Sequence, residues 1–210
     1  MMMTNETPPK NKAFENFCLF GYLTNNLGLN LEELVTEYTL EKNDYIYRPS
    51  YKQNSIYEIM DGAIKLGSYS DSGEEYVYDV LHRCDFFGNL KYLNNQFFEF
   101  SKALIGTRIR AYPLPFFKNV ITEHPAAAEW FISYIVKRWC VSEKKLGKIK
   151  ENNTAKKIGF LRSYLNVKVK DTAGSEFLLY DLLTQRELGD LVGATRQTIA
   201  NALKKELTES

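Results

Sequence analysis

The stretch from Thr184 to Leu207 constrains the fold of this chain most strongly, because its pattern predicts two short helices joined by a tight turn. Thr184 and Glu187 have the Thr-x-x-Glu spacing of a capping box, in which each side chain bonds the backbone N–H of the other residue. Gly193 stands where the first helix must end, and a glycine adopts the left-handed conformation of a helix end without a Cβ penalty. Thr195 is placed to cap the second helix. We interpret the stretch as a helix-turn-helix.

The second helix of this motif is predicted to present a short, polar and basic outer face. Ile199, Ala202 and Leu203 have the spacing of an inward face. Arginine, glutamine and asparagine side chains can hydrogen-bond base edges in the major groove in a bidentate way. Thr195 is expected to contact a DNA phosphate. The candidate DNA-binding residues are Thr195, Arg196, Gln197, Ala200, Asn201 and Lys204. The alternative is a helical hairpin with a purely structural role, in which Arg196 and Lys204 are solvated surface charges.

The segment TQRELGDLVGATRQTIANALKK resembles the helix-turn-helix of the Crp/Fnr family of bacterial transcription regulators, and the similarity extends back to about residue 40. This resemblance implies a β-roll sensor domain, a long dimerisation helix and a C-terminal DNA-binding domain. Family members usually continue into a β-hairpin wing, whereas this sequence reaches Ser210 soon after the second helix. Weak or vestigial DNA binding, in a β-roll module that binds an effector or a protein, is therefore the alternative function.

Charge is distributed unevenly along the chain. Residues 1–143 carry 14 basic and 18 acidic side chains, and residues 144–210 carry 13 basic and 8 acidic ones, although the net charge of the whole chain is only +1. Between Lys144 and Lys170, eight lysines and one arginine accompany the single acid Glu151. Such a density suits phosphate contacts, which supply affinity without sequence information.

Several classes of protein are disfavoured by the sequence. No apolar run is long enough to span a bilayer, and the N-terminus lacks a signal-peptide pattern, so we expect a cytoplasmic protein without a membrane partner. Cys18, Cys84 and Cys140 are far apart and odd in number, and no Cys/His spacing suits a metal. No P-loop, GxSxG or HExxH motif is present, so we expect neither an enzyme nor a cofactor.

The N-terminal half has the regularly spaced strand and turn signals of a β-roll. Residues 1–12 are polar and expected to be disordered, and residues 14–40 are predicted to be helical in two pieces broken near Gly28. Beyond Glu41, short segments rich in Tyr, Ile and Val alternate with turn signals about every ten residues, which favours an antiparallel roll. The predicted strands are 45–47, 56–60, 63–69, 76–81 and 103–112, with 89–93 as a helical turn. The predicted fold class is α+β.

A long helix is predicted from Pro125 to about Glu151. Its apolar stripe is too wide for a helix that packs on one surface only, so it requires two partners. One partner is its own roll, and the other is the same helix of a second chain in a coiled-coil-like dimer. The predicted dimer residues are Phe131, Ile135, Arg138, Trp139, Ser142 and Leu146. The alternative is a long buried helix in a monomer.

The predicted domains are 13–124, 125–151 and 152–210, after the N-terminal residues 1–12.

The resemblance also bears on what the sensor domain binds. Cyclic-nucleotide-binding members carry a Glu after the DF(F/I)G turn for the ribose and an Arg-Ser pair for the phosphate. Here Asn89 replaces the Glu and Phe100 precedes Ser101, so the phosphate lacks the cation that a buried charge requires. We therefore expect no response to cyclic AMP. The candidate effector pocket comprises Gly88, Asn89, Leu90, Ser101, Lys102 and Ser142. An apolar effector among the aromatic side chains of residues 86–100, and no effector at all, both remain open.

Taken together, the sequence predicts a homodimeric, sequence-specific transcription regulator of the Crp/Fnr type. Its expected partners are double-stranded DNA, a second copy of the chain and, if it activates transcription, RNA polymerase. Two recognition helices would enter successive major grooves about one helical turn apart. Gln197 and Asn201 stand where Glu and Arg are common in the family, so the preferred DNA sequence is expected to differ from the familiar one.

Overall fold

A computed structural model describes residues 17–49, 54–88 and 98–209, with side chains up to Lys205. After a short helix α1 (Leu19–Gly21) that continues as a wider turn (Tyr22–Asn26), the described part of the N-terminal half is made of strands. These are β1 (Thr36–Leu40), β2 (Tyr45–Tyr47), β3 (Ser55–Asp61), β4 (Ala63–Tyr69), β5 (Glu75–His82), β6 (Phe86–Phe87), β7 (Phe100–Ala103) and β8 (Thr107–Pro113).

These strands form two four-stranded antiparallel sheets, in the orders β1-β8-β3-β6 and β2-β7-β4-β5. The longest pairing joins β4 to β5, from Ala63 opposite His82 to Tyr69 opposite Glu75. Alternate side chains of both sheets point inward, as the pleat requires. They form a core of Tyr47, Tyr57, Ile59, Ile64, Leu66, Leu81, Phe87, Ile109 and Ala111. The predicted β-roll is confirmed.

Two sequence predictions in this half were wrong. Residues 36–40 form strand β1 instead of a second helical piece, because they pair with β8 and Glu37 bonds Arg110 at 2.8 Å across that pair. The single strand expected over 103–112 is divided at Leu104–Gly106. Leu104 and Ile105 are buried at this bend in a cluster shared with the C-terminal half. The predicted helical turn at 89–93 lies outside the described residues.

Helix α2 (Leu114–Glu123), which the sequence pattern did not predict, is followed by the predicted long helix α3 (Pro125–Ile149). One side of α3 packs on the roll, where the ring of Trp130 lies 5.0 Å from that of Phe86. The opposite side is apolar and exposed at Ile132, Ile135, Val136, Trp139, Leu146 and Ile149. In the part of the chain that the structure describes, neither α3 nor any other helix has the length and apolar character needed to cross a membrane.

The C-terminal half begins with α4 (Thr154–Tyr164), which Asn153 caps by accepting from the N–H of Lys156 at 3.2 Å. A hairpin of β9 (Lys168–Lys170) and β10 (Glu176–Leu178) follows, then a 3-10 turn (Leu179–Leu182), α5 (Gln185–Val192) and α6 (Arg196–Glu209). The sequence pattern did not predict this hairpin, whose turn is closed by Asp171 Oδ1 accepting from the N–H groups of Ala173 and Ser175 at 2.9 and 2.8 Å.

The two halves share one apolar cluster. Ala63, Val77, Val80, Leu104 and Ile105 of the roll are buried together with the core of the C-terminal half. That core comprises Ile158, Leu161, Leu165, Val169, Leu179, Leu183, Leu188, Leu191, Val192 and Ile199. The helix-turn-helix is therefore packed against the roll in this structure.

Gly62, in the tight connection between β3 and β4, offers a test of the roll. Its φ is +97°, and a Cβ would lie 2.7 Å from the Cα of Thr107. We expect Gly62→Ala to lower the free energy of unfolding by about 3 kcal/mol, because both the left-handed conformation and the clash are unfavourable.

Gly174 is the matched control for this substitution. Its φ is +83°, and a Cβ there would meet nothing within 4 Å. Gly174→Ala should lower the free energy of unfolding by only about 1 kcal/mol, since it adds conformational strain without a clash. Urea unfolding of both variants measures the difference, and equal losses would contradict the packing described at Gly62.

Candidate nucleic-acid interface and sensor interior

The helix-turn-helix has the local geometry that its sequence predicts. The N–H of Glu187 donates to Thr184 Oγ1 at 3.3 Å, and Thr184 N–H donates to Glu187 Oε2 at 2.8 Å, which completes the capping box. Gly193 ends α5 with a φ of +60°. Thr195 caps α6 by accepting from the N–H of Thr198 at 3.1 Å.

Two glycines allow the close packing of this motif. A Cβ at Gly189 would collide with the carbonyl oxygen of Ala194, so the turn itself lies against the first helix. A Cβ at Gly193 would lie 2.9 Å from Cγ2 of Ile149, at the end of α3. The turn of the helix-turn-helix is thus held against the C-terminus of the long helix.

The outer face of α6 is free to meet a partner. Arg196, Gln197, Asn201 and Lys204 are exposed, and Ala200 is half-buried between them. On the opposite side, Ile199 is fully buried in the shared apolar cluster. Gln197 Nε2 donates to Asn201 Oδ1 at 2.8 Å, so two of the candidate base-reading side chains are aligned with each other. The structure therefore brings the predicted DNA-binding residues onto one surface.

The basic segment 144–170 is only partly available for phosphate contacts. Lys157 is 7% exposed, and its Nζ donates to the carbonyls of Ile149 at 3.1 Å and of Val192 at 2.9 Å. These carbonyls lie at the ends of α3 and α5, where a cation interacts favourably with the helix dipole. Lys145 is 9% exposed and pairs with Asp79. These two lysines join structural elements, a role that the sequence pattern does not indicate.

A cavity of about 130 Å³ lies where the roll, α3 and the C-terminal half meet. The carboxylate of Asp79 on β5 accepts hydrogen bonds from Arg138 Nη2 at 2.6 Å and from the hydroxyl of Tyr164 at 3.5 Å. It also accepts from the ammonium of Lys145. Burial raises the pKa of Asp85, which also lines this cavity. The remaining lining residues are Val80, Leu81, His82, Tyr134, Lys137, Val141, Ser142, Leu165 and Leu179.

The roll interior contains a buried acid instead of a buried cation. Glu99 is 4% exposed, and its carboxylate accepts from the hydroxyls of Tyr47 and Tyr78. Desolvation raises the pKa of Glu99 to about 7, although the Tyr47 hydrogen bond and the charge of Arg138 oppose this rise. In the sequence, Glu99 makes the aromatic run FFEFS locally acidic, but its burial and its two tyrosine partners do not follow from that run.

The predicted effector residues do not form one described pocket. Ser101 Oγ is buried without a hydrogen-bond partner, whereas the neighbouring Lys102 bonds Tyr45 at 3.0 Å on the other face of the strand. Gly88 lies against Tyr57, since a Cβ there would be 2.8 Å from that ring. Ser142 lines the separate cavity beside Asp79. Asn89 and Leu90 lie outside the described residues.

The predicted dimer residues divide between two sides of α3. Ile135, Trp139 and Leu146 are exposed, and Trp139 is 64% exposed. Phe131 packs within its own chain, with its ring 5.3 Å from that of Phe117. Arg138 bonds Asp79 and the carbonyl of Phe86 of its own chain, the latter at 3.0 Å. Among the described residues, no group of three or more His, Cys, Asp or Glu side chains is placed to hold a metal ion.

Comparison with known proteins agrees with this architecture. Residues 37–124 match the family model of the cyclic nucleotide-binding domain. The global nitrogen regulator of Synechococcus elongatus is 23% identical over 169 residues, which cover 78% of this chain and 75% of that protein. The Crp/Fnr resemblance noted in the sequence is confirmed in this way by a curated relative as well as by a domain model.

Solved structures share the fold over most of the chain. A cyclic nucleotide-binding domain-containing protein from Listeria monocytogenes superposes with a TM-score of 0.69 at 16% identity, over 91% of each chain. A CRP/FNR family transcriptional regulator from Thermus thermophilus gives a TM-score of 0.64 at 15% identity and covers 83% of this chain and 87% of its own. The roll, long helix and helix-turn-helix are therefore arranged as in CRP/FNR regulators.

The buried carboxyl of Glu99 makes the stability of the roll depend on pH. Its pKa is higher in the folded chain than in the unfolded chain, so the folded state binds the proton more tightly. The stability gained from protonating this buried carboxyl is fully present below the ordinary glutamate pKa. It is lost as the pH rises through about 7. We expect the unfolding free energy of wild type to rise when the pH is lowered from about 8 to 5.5. This rise should exceed that of Glu99→Gln by about 2 kcal/mol.

Chemical unfolding of both proteins across this pH range measures the effect. Glu99→Gln is the appropriate reference because it keeps an oxygen acceptor for one tyrosine but has no proton to bind. All other titrating groups are common to both proteins, so they cancel in the difference. Parallel pH profiles for wild type and variant would contradict the raised pKa.

Proposed function

We propose that this chain is a homodimeric transcription regulator that binds DNA in a sequence-specific way. The observation that carries the proposal is the exposed face of α6, which presents Arg196, Gln197 and Asn201 while Ile199 fixes the opposite face in the core. A recognition helix needs this combination, because base edges are read by side chains whose helix is held rigidly. The regulators among its relatives and structural neighbours support the same role.

Base recognition is assigned to three side chains. Arg196 stands at the first position of α6, where a recognition helix enters the major groove, and is placed to bond guanine O6 and N7. Gln197 and Asn201 are assigned to neighbouring positions, and their side chains are hydrogen-bonded to each other on the exposed face. Lys204, one turn further along, is assigned to a phosphate, which adds affinity without selecting a sequence.

The exposed side of α3 is assigned to dimerisation. Six apolar side chains along this helix are exposed, a far larger patch than single surface apolar residues produce. A second copy of α3 offers the same patch, so a two-fold arrangement covers both at once. Such a dimer places two recognition helices for half-sites about 34 Å apart, one turn of DNA.

We also propose that the roll does not take a cyclic nucleotide, despite its family match. The described interior presents the carboxylate of Glu99 and two tyrosine hydroxyls, and Lys102 is engaged by Tyr45 on the other face of its strand. A cyclic phosphate placed among these groups would be a buried anion facing an acid, which is strongly unfavourable.

Substitution of Arg196 tests the reading of DNA. On a duplex selected by the wild-type protein, we expect Arg196→Ala to cost about 1–3 kcal/mol of binding free energy and to remove discrimination at one base pair. Fluorescence anisotropy with the selected duplex and its single-base variants measures both effects.

Lys204→Ala serves as the contrasting variant in the same assay. It removes a charge from the same exposed face, so we expect it to weaken binding to all duplexes equally and to lower the salt dependence. If Arg196→Ala instead weakens matched and mismatched duplexes by equal factors, Arg196 contacts the backbone and the assignment of base recognition is wrong.

Dimerisation is tested on the exposed face of α3. Trp139→Glu places a charge in the centre of that face, and we expect the variant to sediment as a folded monomer where wild type sediments as a dimer. Lys144→Glu adds an acid at an exposed position beside the apolar stripe and should remain dimeric. A dimer of unchanged stability in Trp139→Glu would place the interface elsewhere.

A further inference from the structure

Helix α5 is docked on the β4–β5 hairpin of the roll through polar contacts that the helix-turn-helix itself does not require. Lys65 of β4 pairs with Glu187, and their side chains are only 12% and 11% exposed. The N–H of Val77 on β5 donates to Asp190 Oδ2 at 3.1 Å. Glu187 therefore serves both as the cap of α5 and as the partner of a roll lysine.

Apolar and backbone contacts reinforce this docking. Ala63, Val77 and Val80 of the hairpin are buried in the same cluster as Leu188 and Leu191 of α5. At a second point, the N–H of Thr172 at the tip of the β9–β10 turn donates to the carbonyl of Gly106 at 3.2 Å. Undocking exposes this apolar surface to water, so the docked arrangement is favoured in the free chain.

An acidic turn, defined here as Asp71–Glu75, faces the N-terminal end of α5. Arg186 Nη2 donates to Glu74 Oε2 at 3.0 Å and to the carbonyl of Glu75 at 3.2 Å. In a helix-turn-helix, the first helix crosses the DNA backbone, and arginines and helix N-termini contact phosphates. The carboxylate of Glu74 thus holds the side chain that a DNA phosphate would take.

We infer that the acidic turn of the β4–β5 hairpin competes with a DNA phosphate for Arg186, so that the docked chain is the low-affinity state and DNA binding draws α5 away from the roll. The inference rests on the proposed function and names the regulation of the same site. The exposed Glu74–Arg186 pair contributes little stability by itself, whereas the buried Lys65–Glu187 pair holds the helix in place.

This competition has a direct thermodynamic consequence. If DNA binds only the undocked chain, any substitution that weakens docking raises the apparent affinity, since it enlarges the binding-competent fraction. Removing a roll lysine should then strengthen DNA binding. General electrostatics predicts the opposite sign, because the loss of a cation weakens attraction to a polyanion.

The experiment measures the affinity of the full-length protein for a 30-base-pair duplex by anisotropy over a series of KCl concentrations. Two matched pairs of variants separate docking from net charge. Glu74→Gln and Asp71→Asn each remove one acid from the acidic turn, and within the described residues only Glu74 of the two pairs with α5. Lys65→Gln and Arg108→Gln each remove one roll cation, and Arg108 pairs with Asp61 on the roll surface.

We expect Glu74→Gln to raise the affinity about three- to fivefold and Asp71→Asn less than twofold. Lys65→Gln should raise it about tenfold, whereas Arg108→Gln should leave it equal or lower. Equal effects within both pairs overturn the inference while leaving DNA binding intact. Failure of every variant, including Lys65→Gln combined with Glu74→Gln, to bind any duplex overturns the proposed function and the inference with it.

Hydrogen exchange of the Val77 amide reports docking independently of affinity. This N–H is bonded to Asp190 of α5, so we expect it to be protected in the free protein and to exchange faster in Lys65→Gln. In wild type, saturating duplex should accelerate its exchange. An amide that remains equally protected in the DNA complex shows that DNA binds the docked chain, which overturns the inference.

Discussion

The architecture depends on the two opposite apolar sides of the long helix α3. Its inner side carries Trp130 and Tyr134, which pack on Phe86 at the end of the roll. Its outer side leaves Trp139 and Leu146 exposed along the same 25-residue helix. The core of one chain covers only the inner side, so the helix closes the roll and leaves its outer apolar side exposed. The dimer proposed above covers this outer side with the same side of a second copy.

The same helix brings the roll and the C-terminal half together. Near its middle, Arg138 and Lys145 meet Asp79 of β5, and Tyr164 of α4 approaches the same carboxylate. At its end, the carbonyl of Ile149 accepts from the buried Lys157, whose ammonium also bonds Val192 at the end of α5. Buried cations are costly unless paired, so these contacts stabilise the docked arrangement of the two halves.

The parts that the sequence predicted are those in which local chemistry determines structure. Thr184, Glu187 and Gly193 specify the ends of α5 within a few residues, and the turn signals around Gly62 and Gly73 delimit β3, β4 and β5. Strand β1 was missed because its pairing partner β8 lies far along the chain. Lys157 and Glu99 were missed for the same reason, since their roles follow from distant carbonyls and hydroxyls. The docking of α5 on the roll has no local signature at all.

We propose that two copies of this chain read DNA through α6. Selection of duplexes from a random-sequence pool by the purified protein, read out by sequencing, tests this proposal. We expect an enriched motif with two-fold symmetry and half-sites about one helical turn apart, obtained without added cyclic nucleotide. An asymmetric motif, or no enrichment with or without cyclic nucleotide, would contradict a dimeric DNA reader.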